Sequence, residues 1–458
     1  MKRFKLMLKE LCLILAAVLL LPVFAGCAGD SSDTQQEAQS SGQPSQSAPA
    51  EQPYKGKTLN VWLIKSFSEQ ANALLQERFE QFGDVNGADV NVEIYSSADI
   101  NKKFSAALEA KALPDICMTQ QVSAYPYINS DVFVPMNDLI DEVEKNTGEF
   151  IIKNLCYVDD KAFMIPFYNS IQMLFYRRDL LKQAGYDAPP ATWSEFREIA
   201  RAVTEKTGVY GAGIGCGVND EDGEAVMNYM LWGNGGGIYK DGKIDIENNQ
   251  LLKGVLENYV GMYTDDKSIP ESAISWDASG NNTGYLAGQV AMVINTTTVI
   301  NSLDEPGMED LKSNTGVAEI PAGTEGRYLP GSNVGFSVCK TEQTDMAFAA
   351  LRSIYDINWY NRYTEKVVPV CGPVLKRSLE ESVWDDEVNA QIAESLQYKT
   401  NYWSHPNYEL DALMTSTAVY NQKLLCQTMQ SILTQNVSID AALKELQKTV
   451  DKIAAEYK

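Results

Sequence analysis

Histidine is almost missing from this chain: His405 is the single one in 458 residues. Most histidine-based acid–base and metal chemistry is thereby removed at the outset. Cations are also scarce, with 38 Lys and Arg against 61 Asp and Glu and a formal net charge of −23. A surface of that sign repels nucleic acid and anionic lipid, so nucleic acid is excluded as a partner. No apolar run reaches the roughly 20 residues that a spanning helix needs; residues 11–26 come nearest. The cysteines show no CxxC or zinc spacing. Six of them, Cys117, Cys156, Cys216, Cys339, Cys371 and Cys426, read as buried thiols, although an exported chain could also pair them.

Enzyme signatures fail as well. No GxSxG or HExxH occurs, and residues 237–243 have the GxxxxGK spacing but Ile244 stands where a magnesium-holding Ser or Thr belongs. Asp220, Asp222 and Gly223 hint at a calcium loop, yet Val218 and Tyr229 at its first and twelfth positions cannot ligate. This stretch therefore reads as a solvated acidic turn. His405, followed by Pro406, reads as a loop residue. No metal, cofactor or catalytic residue is expected.

What remains is globular. Hydrophobic residues make up 45% and charged residues 22%, enough apolar mass for a sizeable core. Lys2, Arg3, Lys5 and Lys9 precede the apolar run, and the small Ala25 and Gly26 precede Cys27, which is the order of an export signal. Residues 30–53 are rich in Ser, Gln, Ala, Pro and Glu and have too few apolar groups to offset chain entropy, so they read as a flexible stalk. From residue 57 onward strand and helix patterns alternate. Leu59, Val61 and Leu63 mark a strand; Leu74, Leu75, Phe79 and Phe82 a helix; Val90, Val92 and Ile94 a second strand; residues 115–119 a third. Further strands are expected at 163–168 and 172–176. Thr192 with Glu195 forms a capping box, and helices are expected near 227–232, 251–263, 345–355 and 441–453. Such alternation argues for an α/β fold with parallel sheets, whose ligands gather at the carboxyl ends of the strands.

Residues 164–206 are more specific. Ile165, Pro166, Phe167 and Tyr168, then Leu174 to Leu181, Ala184 and Gly185, then Pro189, Pro190, Thr192, Trp193 and Phe196 closely resemble the extracellular solute-binding proteins, family 1, of ABC importers. Residues 284–292, 316–318, 331–335 and 347–354 are similar to later parts of that family's pattern. Phe24, Ala25, Gly26 and Cys27 resemble a bacterial lipobox, with Phe24 where Leu is commoner. Asp160 departs from the usual glycine, and Asn295 to Thr298 replace a glycine and tryptophan found in many sugar binders.

The resemblance implies a two-lobed, type II periplasmic-binding-protein-like fold, each lobe a mainly parallel sheet flanked by helices. Residues 1–26 would be a lipoprotein signal peptide and 27–54 the lipidated Cys27 and its tether. Lobe I would hold 55–165 and 296–332, and lobe II 166–295 and 333–458. Hinge crossovers would lie near 165–168, 292–295 and 331–338. It further implies a monomer held to the outer face of the cytoplasmic membrane by its lipid, passing a solute to the transmembrane subunits of an ABC permease. Ligand candidates border strand ends and crossovers: Trp62, Tyr95, Gln120, Tyr168, Asn169, Trp232, Asn295, Thr296, Ser332, Asn333 and Trp403. Aromatic faces with neutral amides and hydroxyls suit a sugar or oligosaccharide, while core packing competes for each residue. The alternatives are a peptide, a polyamine, a phosphorylated polyol held by Lys65, Arg177 or Arg327, or a surface glycoside-processing enzyme.

Overall fold

The computed structural model describes residues 52–153, 156–328, 333–398 and 409–457. Cys27, Ser332, Trp403 and His405 lie outside these residues.

The strands are β1 Thr58–Ile64, β2 Asp89–Tyr95, β3 Ile116–Gln120, the hairpin β4 Tyr157–Val158 and β5 Lys161–Ala162, β6 Ile165–Ser170 and β7 Gln172–Arg177. They continue with the hairpin β8 Tyr239–Lys240 and β9 Lys243–Ile244, then β10 Met292–Thr296, β11 Thr315–Ala318, β12 Asn333–Val338 and β13 Cys371–Gly372. The helices between them begin and end on local chemistry. Ser68 caps the helix Glu69–Asn86 by accepting from the Ala71 amide, and Gly87 ends it in the left-handed region. Thr192 accepts from the Glu195 amide at 3.2 Å, so the capping residue acts as expected. The Glu195 carboxylate instead takes the Ala191 amide, at 2.7 Å.

Two sheets organise the fold. The first has the order β13-β6-β12-β3-β1-β2 and the second β10-β7-β11. β1 pairs parallel with β2 and β3, as the alternating pattern predicts. β12 runs antiparallel to β3 and β6, β13 to β6, and the whole second sheet is antiparallel, so neither sheet is mainly parallel as the resemblance implies. β12 bulges between Val334 and Gly335, where a Cβ on Gly335 would meet the Ile165 carbonyl at 2.2 Å.

Strand pairing corrects the expected lobe boundaries. β11, in the 296–332 stretch assigned to lobe I, pairs with β7 in the second sheet. β12, assigned to lobe II, sits in the first sheet, as does β6. These strands are alike in apolar content, so local pattern does not reveal which sheet each one joins. The crossings shift accordingly. Ile171 alone separates β6 from β7, and the second passage lies between β11 and β12. A third follows β13, because Trp384 and Ile392 pack with Phe175 and Val317. Residues 292–295 are part of β10 inside the second sheet and form no crossing.

The core of the first lobe is aromatic. Phe167 lies 4.8 Å from Phe336 and 4.7 Å from Tyr363 between ring centroids, and the Tyr360 hydroxyl donates to the Phe167 carbonyl at 2.7 Å. Each such buried ring contributes about 1.5–3 kcal/mol. All six cysteines beyond residue 50 are buried as thiols. At the β4–β5 turn Asp160 has φ 59°, a conformation open to Asp and easiest for the glycine it replaces.

Candidate functional site

A cleft of about 330 Å³ opens between the two sheets, within the size range of small-molecule sites. The ends of the first sheet supply Gln120, Tyr168 and Ser170, together with Lys65, Ser66 and Phe67 in the loop after β1. The second lobe supplies Gln172, Glu221, Asp222, Tyr229, Asn295 and Thr296. The wall therefore combines aromatic faces, neutral amides and hydroxyls with two carboxylates and one ammonium. That ammonium, on Lys65, is paired with Glu69 at 2.7 Å.

Asp222 is the most tightly specified of these groups. Its Oδ2 accepts from the Asn281 and Asn295 amides, both at 3.1 Å, and Asn295 is itself linked to the Asn281 carbonyl oxygen at 3.0 Å and to Asn282. Oδ1 has no hydrogen bond among the described residues, and Asp222 lines the cleft. Burial, the largest influence, pushes the Asp222 carboxyl up to about 7 against the opposing pull of Asn281. Across the entrance to β7, the Tyr229 hydroxyl donates to Gln172; burial also raises that phenol, as it does Tyr168.

The acidic stretch before this helix is not the solvated turn that the sequence suggests. Asp220 caps the helix Glu221–Gly233 by accepting from the Gly223 amide at 2.9 Å. Glu224 is fully buried and accepts the Cys426 and Leu425 amides at 2.9 and 3.3 Å, at the start of the helix Leu424–Gln435. Helix N-termini attract carboxylates in this way. Burial raises Asp220 to about 6 and Glu224 to about 7.

The structure brings together four of the sequence candidates, Gln120, Tyr168, Asn295 and Thr296. Others lie elsewhere. Trp62 sits in mid-strand and donates to Glu93 at 2.9 Å, with its ring against Phe104 and under the Lys103 ammonium at 4.8 Å. Tyr95 joins the same Glu93 and Lys103 group. Asn169 and Asn333 are opposite in register and buried, one donating to the Pro373 carbonyl at 2.9 Å and the other to Gln121 at 3.0 Å. Trp232 is buried behind Tyr229 at 6.1 Å. It borders a void of about 10 Å³ and is not among the residues that line the cleft. Of the cations expected for a phosphate ester, Arg177 is paired with Asp179 at 2.6 Å and Arg327 with Glu319 at 3.4 Å, and neither lines the cleft.

Sequence reasoning missed Phe67, Gln172, Glu221, Asp222 and Tyr229. Phe67 was within reach of the rule that favours residues just after a strand. Asp222 was not, since the two asparagines that orient it, Asn281 and Asn295, come from distant segments. The Gly237 to Lys243 stretch forms the turn of β8–β9, a geometry unlike the strand–loop–helix of a phosphate loop.

Residues 65–352 match the family model of bacterial extracellular solute-binding proteins. The lactose-binding protein of Rhizobium radiobacter is 27% identical over 289 residues, covering 59% of this chain and 65% of that protein; the match thus spans just under two thirds of that relative. Among solved structures, the sugar-binding protein MalE of Xanthomonas citri superposes with a TM-score of 0.72 at 18% identity, over 87% of this chain and 98% of that one. A sugar transporter protein of Arthrobacter chlorophenolicus with bound laminaribiose gives 0.70 at 18% identity, over 86% and 99%. These two share the two-lobed α/β fold. With a family model covering well over half of its length, the chain belongs to the bacterial extracellular solute-binding proteins.

Proposed function

We propose that this chain is the exported substrate-binding subunit of an ABC importer, tethered through a lipidated Cys27, that captures a neutral sugar or oligosaccharide and delivers it unaltered to a membrane permease. The carrying observation is the cleft itself: aromatic faces and fixed amide and hydroxyl groups surround one oriented acceptor, Asp222. Carbon-bound hydrogens of a pyranose stack on aromatic rings while its hydroxyls take directed hydrogen bonds. The sugars named for the similar proteins, lactose and laminaribiose, have this chemistry. Ligand contacts with both lobes would favour a closed state, so that occupancy is read as shape.

Cleavage of a glycoside needs two carboxyl groups flanking the scissile bond. Glu221 and Asp222 are neighbours in one helical turn and approach the cleft from one wall, an arrangement that supports binding over hydrolysis. The test is a thermal-shift screen of residues 53–458 against lactose, laminaribiose, maltose, cellobiose, a tripeptide and spermidine. A ligand that binds only the native state raises the melting temperature by mass action. A shift with a saccharide, recovered unchanged afterwards, is the expected result; a shift with spermidine alone would replace the sugar by a polyamine.

A further inference from the structure

Phe67 is 75% exposed and lines the cleft. A lone exposed apolar side chain needs no explanation, but the backbone around this one is unusually well fixed. The Lys65 amide donates to the Tyr95 carbonyl at 2.7 Å. Asn72, 8% exposed, grips Ser66 three ways: its Oδ1 accepts from the Ser66 amide and hydroxyl, both at 2.8 Å, and its Nδ2 donates to the Ser66 carbonyl at 3.2 Å. On the other side Ser68 donates its amide to the Ser66 hydroxyl at 3.3 Å and caps the helix Glu69–Asn86. The chain is thus anchored immediately before and after Phe67, and the ring stands exposed on the wall of the cleft that Asp222 and Asn295 line from the other lobe.

We infer that Phe67 is the stacking platform for the bound saccharide and that Asn72 is its positioning residue. The inference rests on the saccharide reading above and adds the residues that recognise the ligand's apolar face. A backbone fixed before the ligand arrives loses little conformational freedom on binding, which raises affinity without a new contact. It also explains how a chain with Asn295 to Thr298 where many sugar binders carry a tryptophan keeps an aromatic surface, on the opposite lobe.

The experiment is calorimetric titration of wild type, Phe67→Ala, Phe67→Leu, Phe67→Trp, Asn72→Ala, Asn72→Asp and the double variant Phe67→Ala/Asn72→Ala with lactose, laminaribiose, maltose and cellobiose, alongside melting of each ligand-free protein. Phe67→Ala should weaken binding of the accepted sugar about tenfold or more with an unchanged melting temperature. Phe67→Leu should restore little of it, whereas Phe67→Trp should retain affinity and change its emission on saturation. Asn72→Ala should weaken binding in the wild-type background and much less in the Phe67→Ala background. Asn72→Asp, which keeps both acceptor contacts to Ser66 but sets an oxygen against its carbonyl in place of the donating amide, should recover only part of the affinity. Wild-type affinity in Phe67→Ala overturns the stacking role even if transport is lost, since Phe67 would then contact the permease. Equal losses for Asn72→Ala in both backgrounds overturn the positioning role. Failure of wild type to bind any of the four sugars removes the saccharide reading and this inference with it.

Discussion

Replacing Asp222 with Asn should raise stability and lower affinity together. The carboxyl is displaced from its ordinary 3.8 to about 7, chiefly by burial, and each pKa unit corresponds to about 1.4 kcal/mol. Keeping the charge in the folded protein above pH 7 therefore costs on the order of 4 kcal/mol, with the pull of Asn281 already counted. The sign follows from proton binding: the folded state holds its proton where the unfolded state has released it. This contribution is absent below pH 3.8, stability falls as pH rises through about 7, and it is level beyond. Asn is close in shape to the neutral acid and can still accept from Asn281 and Asn295. Asp222→Asn should thus match wild type near pH 4 and exceed it by a few kcal/mol at pH 8, while Glu224 titrates alike in both proteins and cancels and Asp220, whose charge helps to raise Asp222, is relieved in the variant in the same direction. Affinity should move the other way, because a charge-assisted hydrogen bond worth about 1.5–3 kcal/mol becomes a neutral one. Urea unfolding at pH 4, 6 and 8, with titration of the accepted sugar at pH 8, measures both effects. A variant less stable than wild type at pH 8, or a difference independent of pH, would refute the reasoning.

Asn295→Ala should weaken sugar binding at least tenfold by releasing Asp222 from one of its two amides, as titration of the accepted sugar will show. Trp232→Ala should chiefly cost stability, about 3–5 kcal/mol by urea unfolding, as expected for a buried ring that does not line the cleft. Trp62→Phe should leave sugar affinity at the wild-type value and lower stability by about 0.5–1.5 kcal/mol through loss of its bond to Glu93. Burial pushes the Cys216 thiol up to about 11. Iodoacetamide at pH 7.5 should therefore leave native Cys216 unlabelled by mass spectrometry and alkylate it in urea.

The elements whose residues lie close together in the chain were legible in the sequence. β1, β2 and β3 and the helices between them follow from apolar spacing, and Thr192 caps its helix as its neighbours dictate. The identity of the sheet that β11 and β12 join was not legible, because both are short and buried and their partners lie more than a hundred residues away. The site divides in the same way. Gln120, Asn295 and Thr296 stand at or beside strand ends, a position that sequence marks, and Tyr168 stands two residues before the end of β6. Trp62 and Trp232 were singled out for their chemistry, but Trp62 is taken up by Phe104 and Glu93 and Trp232 is buried beside Tyr229. Asp222 gains its orientation from Asn281 and Asn295, a relation that exists only once α-helix and sheet have packed.

The single residue between β6 and β7 has one further consequence. Ser170 and Gln172, its immediate neighbours, both line the cleft, so on the proposed closure a captured molecule would touch the chain where it passes from one sheet to the other. Small differences in what touches Ser170 and Gln172 would alter the swing itself, and two solutes of equal affinity could leave the molecule set at different angles for whatever reads it.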